Sequence, residues 1–277
     1  NIQELEFGSK NSFSFEIDKK MNFKNIKIDS NFDLKKLFFF NDKKILSKII
    51  PKFKNNLKLI NHKIYLKYDE DNLYIDGLGE FLVQNFNDKL EYKINKSKKK
   101  INFDLRFEII ENQFNLDFIN YQKKENSNLE ILVTGNTDID KKFLFKKIIF
   151  KENNNRIEVL NLIIKNKKIN KFQEIDFNYF DKENLQNQFK ILKKDKKYIL
   201  SGDYLNLNKI IEEILSSKNK KKINLFKNDF KLKVDVDKAY LDKINIINDL
   251  NGYLLLKNNK IIDANLISKF SNQKKTQ

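Results

Sequence analysis

The stretch Ile101-Asn102-Phe103-Asp104-Leu105-Arg106-Phe107-Glu108-Ile109 alternates apolar and polar side chains without a break. Successive side chains of an extended chain point to opposite faces. Ile101, Phe103, Leu105, Phe107 and Ile109 therefore share one face of a strand, and the four polar residues share the other. The same alternation recurs at Ile64, Leu66, Tyr68; at Leu90, Tyr92, Ile94; and at Phe114, Leu116, Phe118. It returns at Leu129, Ile131, Val133; at Ile175, Phe177, Tyr179; and at Phe230, Leu232, Val234, Val236.

Short polar punctuations separate these runs, at residues 69–72, 97–100, 111–112, 153–155, 181–184, 193–197 and 258–259. Asn carries much of the turn chemistry, because its side chain tolerates the left-handed backbone region. Strands about 10 residues apart with tight turns predict an antiparallel meander. Alternation rather than solid apolar runs leaves one face wet, which favours antiparallel pairing. Residues 246–256 and 260–270 read as further strands of such hairpins.

Two stretches depart from period two. Over residues 33–50, Leu34, Leu37, Phe38, Ile45, Leu46, Ile49 and Ile50 fall at helical spacing before Pro51. Over residues 206–217, Leu207, Ile210, Ile211, Ile214 and Leu215 form a stripe opposite Glu212 and Glu213, followed by a Lys-rich loop at 218–222. The expected fold is mainly β: a long antiparallel meander, curled or folded over, with an apolar inner face and two short amphipathic helices. Residues 1–217 are expected to form the curled sheet, and residues 223–277 to continue it or open a second module.

Composition narrows the classes. Hydrophobic residues make up 40% of the 277 and aromatics 13%, ample for a core despite 34% charge. No apolar run exceeds four residues, against about 20 for a membrane-spanning helix. The chain opens on Asn1 rather than Met, and a strand pattern runs almost to its end, so it is expected to be a piece of a longer protein. Any anchor would lie outside it. The absence of Cys excludes disulfides and thiolate chemistry and is compatible with an oxidising compartment.

The net charge of +17 raises nucleic acid or anionic membrane as a partner. The cations, however, are 53 Lys with only Arg106 and Arg156, beside 41 Asn. Readers of nucleic acid favour the bidentate Arg fork, and an excess of Lys, Asn and Ile is what an AT-rich genome produces. No nucleic-acid partner is expected.

No catalytic constellation is legible. His62 is the sole histidine and reads as a surface residue at the start of a strand. Asp138 and Asp140 invite a calcium-loop reading, but Lys141 and Lys147 stand where Gly and Glu are needed. The acidic run Asp69-Glu70-Asp71 reads as a solvated hairpin turn. Phosphate loops, nucleophile elbows and zinc signatures are missing from the sequence. The chain is expected to be neither an enzyme nor a cofactor binder.

An apolar face this extensive must be covered by a second sheet, by closure, or by an apolar ligand. At this point Ser201-Gly202-Asp203-Tyr204-Leu205-Asn206-Leu207-Asn208-Lys209-Ile210-Ile211 resembles the strand, Gly and short-helix element of the AsmA-like bacterial envelope proteins, TamB and YhdP types among them. The strand at 230–237 leading into Lys238-Ala239-Tyr240-Leu241, the hairpins at 246–270, and the run from Asn120 to Gly135 are similar in style. The resemblance implies a periplasmic β-sheet with an apolar groove, anchored in the inner membrane of a Gram-negative bacterium by a segment outside this chain. It implies a partner as well: phospholipid acyl chains conducted between the inner and outer membranes. The expected groove residues are Phe103, Leu105, Phe107, Phe114, Leu116, Phe118, Ile175, Phe177, Phe230, Leu232 and Val234. The alternative is a β-rich structural or interaction module of the envelope with a conventionally packed core and no lipid.

Overall fold

The computed structural model describes residues 2–40, 56–138, 142–195, 197–208, 229–257 and 260–270. It is mainly β, as the alternation predicts. The first strands are β1 (Ile2–Ile17), β2 (Phe23–Phe40), β3 (Asn56–Asp69), β4 (Asn72–Leu82), β5 (Asn87–Ser97) and β6 (Lys100–Ile109). The short strands β7 (Asn115–Leu116) and β8 (Tyr121–Gln122) flank one 3-10 turn, and β9 (Leu129–Asp138) and β10 (Phe143–Glu152) follow. Next come β11 (Asn155–Lys165), β12 (Lys168–Lys171), β13 (Glu174–Phe180), β14 (Gln186–Lys194) and β15 (Lys197–Asn206). The last are β16 (Phe230–Tyr240), β17 (Ile246–Lys257) and β18 (Lys260–Phe270).

Sixteen strands share one ladder, in the order β1 to β6, then β9, β10, β11, β13 to β18, with β12 on β11; β7 and β8 pair separately. The chain divides into two compact units within β10. Residues 1–115 with 123–148 form the first, and residues 116–122 with 149–277 the second.

The sheet is mixed rather than wholly antiparallel: β15 and β16 run parallel, from Lys197 opposite Lys231 to Asn206 opposite Tyr240. Parallel neighbours need a crossover connection instead of a tight turn, and here the connection is residues 207–229. The helix expected at 206–217 and the Lys-rich loop after it lie largely in that stretch, outside the described residues. Gly202 stands within β15, not at a strand-to-helix junction.

The helix expected over residues 33–50 is replaced, as far as Phe40, by β2; residues 41–50 lie outside the described residues. The cause is local. Between the Glu6–Lys36 and Phe7–Leu34 pairs, β2 carries one extra residue, Lys35. A bulge shifts the phase of alternation by one, so Leu34, Leu37 and Phe38 take helical spacing while the backbone stays extended. The run Phe114, Leu116, Phe118 is likewise not a continuous strand. It passes through the 3-10 turn Asp117–Ile119 and ends on Asn120 in the left-handed region (φ 56°).

The turns follow the expected chemistry. Glu70, Lys98, Asn153, Asn184 and Asp195 each supply a positive φ in the hairpin connections marked by polar punctuation. The 69–72 acidic run is the β3–β4 hairpin, closed by Asp69 opposite Asn72.

Candidate functional site, an apolar sheet face with a buried histidine

In the first unit the strand registers align the apolar positions into rows. Leu66, Ile75, Ile94 and Phe103 are successive cross-strand partners, ending at Gly135. Ile64, Gly77, Tyr92, Leu105 and Val133 form the next row. Gly79, Leu90, Phe107 and Ile131 form a third. Phe32 lies opposite Ile64 and Leu34 opposite His62, so the face continues onto β2. The row residues Ile64, Leu66, Ile75, Leu90, Tyr92, Ile94, Phe103, Leu105 and Phe107 are all only half-buried.

The opposite face carries the charges. Arg106 on β6 reaches Glu108 at 2.9 Å and Glu130 at 2.8 Å, while Lys93 sits 3.5 Å from Asp76. Cross-strand charge pairs of this kind contribute a few tenths of a kcal/mol each. Their larger effect is on register, because a one-residue slip would carry them into the apolar face.

Aromatic rings lie over glycines on the apolar side. A Cβ at Gly77 would fall on the Tyr92 ring, and one at Gly79 on the His62 ring. Burial pushes the Tyr92 hydroxyl up to about 12. His62 and Tyr92 have ring centroids 5.6 Å apart.

His62 is not the surface residue expected from its neighbours: its relative exposure is 0%. The reason is a bulge. Between the Ile60–Glu80 and Lys63–Leu78 pairs, β3 carries one residue more than β4, and Asn61 adopts φ 54°. The extra residue turns the His62 ring onto the apolar side. Its Nε2–H donates to the Glu80 carbonyl at 2.9 Å, which sets the tautomer, since a carbonyl only accepts. Nδ1 is buried without a hydrogen-bond partner.

Burial lowers the His62 pKa, outweighing the Glu80 carbonyl, which acts in the opposite sense. The folded chain then binds fewer protons than the unfolded chain below the ordinary histidine value of about 6.5. The stabilisation is fully present above that value and is lost as pH falls from it toward the depressed folded pKa. Because His62 is the only histidine, urea unfolding between pH 8 and 5.5 should show stability falling by at most about 1.4 kcal/mol per pH unit. His62→Gln should remove that slope, and an unchanged slope in the variant would assign it elsewhere.

Two polar clusters anchor connections and were not foreseen. In the first unit the Asp88 carboxylate accepts from the Ile110 amide at 3.0 Å and from Asn112 Nδ2 at 2.6 Å. Lys123 Nζ donates to the Ile110 carbonyl at 2.5 Å. Burial raises the Asp88 pKa, with these hydrogen bonds opposing it. In the second unit Tyr121 donates to Glu152 at 2.7 Å, and Tyr179 donates to the Ile119 carbonyl at 2.7 Å. Asp181 accepts from Glu183 N, Leu185 N and Asn206 Nδ2. These arrangements satisfy buried polar groups in loops and are structural in character. A half-polar punctuation such as Glu111-Asn112 or Asp181 to Asn184 marks their place in sequence but not their partners.

The expected groove residues therefore separate. Phe103, Leu105 and Phe107 come together on the half-buried face of the first unit. Phe114 and Leu116 are buried in the connector after β6, and Phe118 is 62% exposed. In the second unit Ile175, Phe230 and Leu232 are half-buried, while Phe177 and Val234 are buried. There the row Ile157, Phe177, Phe189, Gly202, Val236, Leu250 runs from β11 to β17, and every one of its large side chains is buried. Among the described residues there is no group of three or more His, Cys, Asp or Glu placed to hold a metal ion. Nor is any helix among them long and apolar enough to cross a membrane. Comparisons with protein-family models, curated proteins and solved structures find no match to this chain.

Proposed function

We propose that the chain is a stretch of an AsmA-like envelope protein whose sheet shields phospholipid acyl chains in the periplasm. In this reading it conducts them between the inner and outer membranes, and an anchor outside these residues holds it to the inner one. The observation that carries it is the half-buried apolar face of the first unit, continuous in register from β3 to β9. Rows of Phe, Ile and Leu side chains a strand spacing apart offer an acyl chain a dry surface. Each Å² of apolar area covered contributes about 25 cal/mol. Headgroups would stay at the wet margin, and the passage needs no reacting side chain.

The test is lipid extraction and native mass spectrometry of the purified protein. Co-purifying phospholipid is the expected result, reduced severalfold in Leu105→Asp, which places a charge on the face. A wild-type protein that carries no lipid overturns the proposal. A folded Leu105→Asp that carries as much lipid as the wild type removes this face from it.

A second reading has its own support. The buried row through Phe177, Phe189 and Val236 is how a conventionally packed module behaves. On that reading the chain is a structural or interaction element of the envelope, and lipid extraction returns protein alone.

A further inference from the structure

The two ends of the ladder are open strands of unusual composition. β1 is 16 residues long, and Ile2, Leu5, Phe7, Phe13, Phe15 and Ile17 are exposed along it. β18 exposes Ile261, Ile262, Leu266, Ile267 and Phe270 over 11 residues. An outer strand presents a row of unpaired backbone N–H and C=O groups, and edges are usually blunted by charge, Pro or brevity. Of the residues on β1, only Lys10 is a cation and none is Pro. Both edges are therefore suited to receive another strand.

Their sequences are complementary to each other. Laid antiparallel with Phe7 opposite Leu266, β1 and β18 bring Ser9 opposite Ala264 on the same side, a small pair next to a large one. On the other side the register sets Glu4 opposite Lys269 and Lys10 opposite Asp263. Both rungs join opposite charges, and all four residues are exposed. Phe7 is 50% and Leu266 44% exposed, so pairing them covers apolar area that each strand now leaves in water. The reverse arrangement, β1 against β1, sets Phe7 against the Ser and Asn positions of its copy and leaves Glu4 and Glu6 without cationic partners.

We propose that β18 of one copy adds to β1 of a second copy in this register, so that the occupant of each open edge is the other end of the same chain. The contact is heterologous: different surfaces meet, and each copy keeps one free edge. Association then proceeds beyond two copies unless it closes into a ring. This inference is independent of the lipid reading, since it concerns backbone edges and not the apolar face.

The chain contains no Cys, which makes the register directly testable. Ser9→Cys and Ala264→Cys proteins are mixed and treated with oxidised glutathione. A disulfide forms only where Cβ atoms approach within about 4.5 Å. The mixture should give a cross-linked dimer, whereas Ser9→Cys alone, or Phe15→Cys with Ala264→Cys, should stay uncross-linked. Sedimentation velocity on a dilution series of the wild type should show concentration-dependent species larger than a dimer. Lys10→Glu or Asp263→Lys alone should weaken that association about three- to tenfold, and the double swap should restore it. A wild type that is monomeric at every concentration overturns the proposal. So does a cross-link from Ser9→Cys alone, which would mean β1 pairs with itself. Single swaps that leave association unchanged, with thermal melts showing them folded, overturn the register.

Discussion

Phe177→Ala should destabilise the second unit by about 3–5 kcal/mol, the range for deleting a buried aromatic ring. Phe177 is 5% exposed and stacks on Phe189 with ring centroids 4.5 Å apart and planes 23° apart. Its cross-strand neighbours are Ile157 on one side and Phe189 on the other, both buried. Removing the ring leaves a cavity that Phe189 cannot fill, because Phe189 itself rests against Gly202, where a Cβ would come within 2.7 Å of the Phe189 Cβ. The comparison is Leu105→Ala in the first unit. Leu105 is only half-buried, so less transfer free energy is lost and the site opens to solvent instead of leaving a void. Denaturant unfolding of both variants measures the contrast. A Phe177→Ala loss no larger than that of Leu105→Ala would show that the second unit has no packed row at this position.

Gly79→Ala should be the most damaging conservative change in the first unit, costing about 1–3 kcal/mol by overpacking. The added methyl would lie on the His62 ring and within 2.7 Å of the His62 Cα. A ring can turn aside, but a backbone atom held by the β3–β4 ladder cannot, and Tyr92 occupies the space beside the ring. The effect should shrink in a His62→Ala background, because the ring part of the clash is gone while the backbone part remains. Equal losses in the two backgrounds would mean that the ring is not the obstacle, since independent sites add. The same pair of variants separates overpacking from the acid-dependent loss of stability, which belongs to His62 alone.

Phe103, Leu105 and Phe107 were legible as one face because a strand's period of two acts at each residue. Most turns were legible for a related reason: Asn, Asp and Lys at 70, 98, 153, 184 and 195 take left-handed backbone at sites flanked by alternation. The bulges at Lys35 and Asn61 were not. One inserted residue inverts the phase of everything after it, and from sequence this looks like a helix at Leu34 to Phe38 and a surface position at His62. Phe118 misled for a similar reason. Its spacing from Phe114 and Leu116 is that of a strand, but Asn120 ends a 3-10 turn and throws the ring into solvent.

What the sequence determined by itself was the material and its sidedness. Strict alternation commits β6 to one apolar and one polar face, and the absence of Cys rules out thiol chemistry. Only the tertiary structure decided what each face meets. Whether an apolar position is half-buried like Leu105 or buried like Phe177 depends on which strands stand beside it, and cross-strand partners are distant in sequence. The parallel step between β15 and β16 and the burial of His62 over Gly79 are of the same kind. Both arise from pairings between segments, which local periodicity cannot encode.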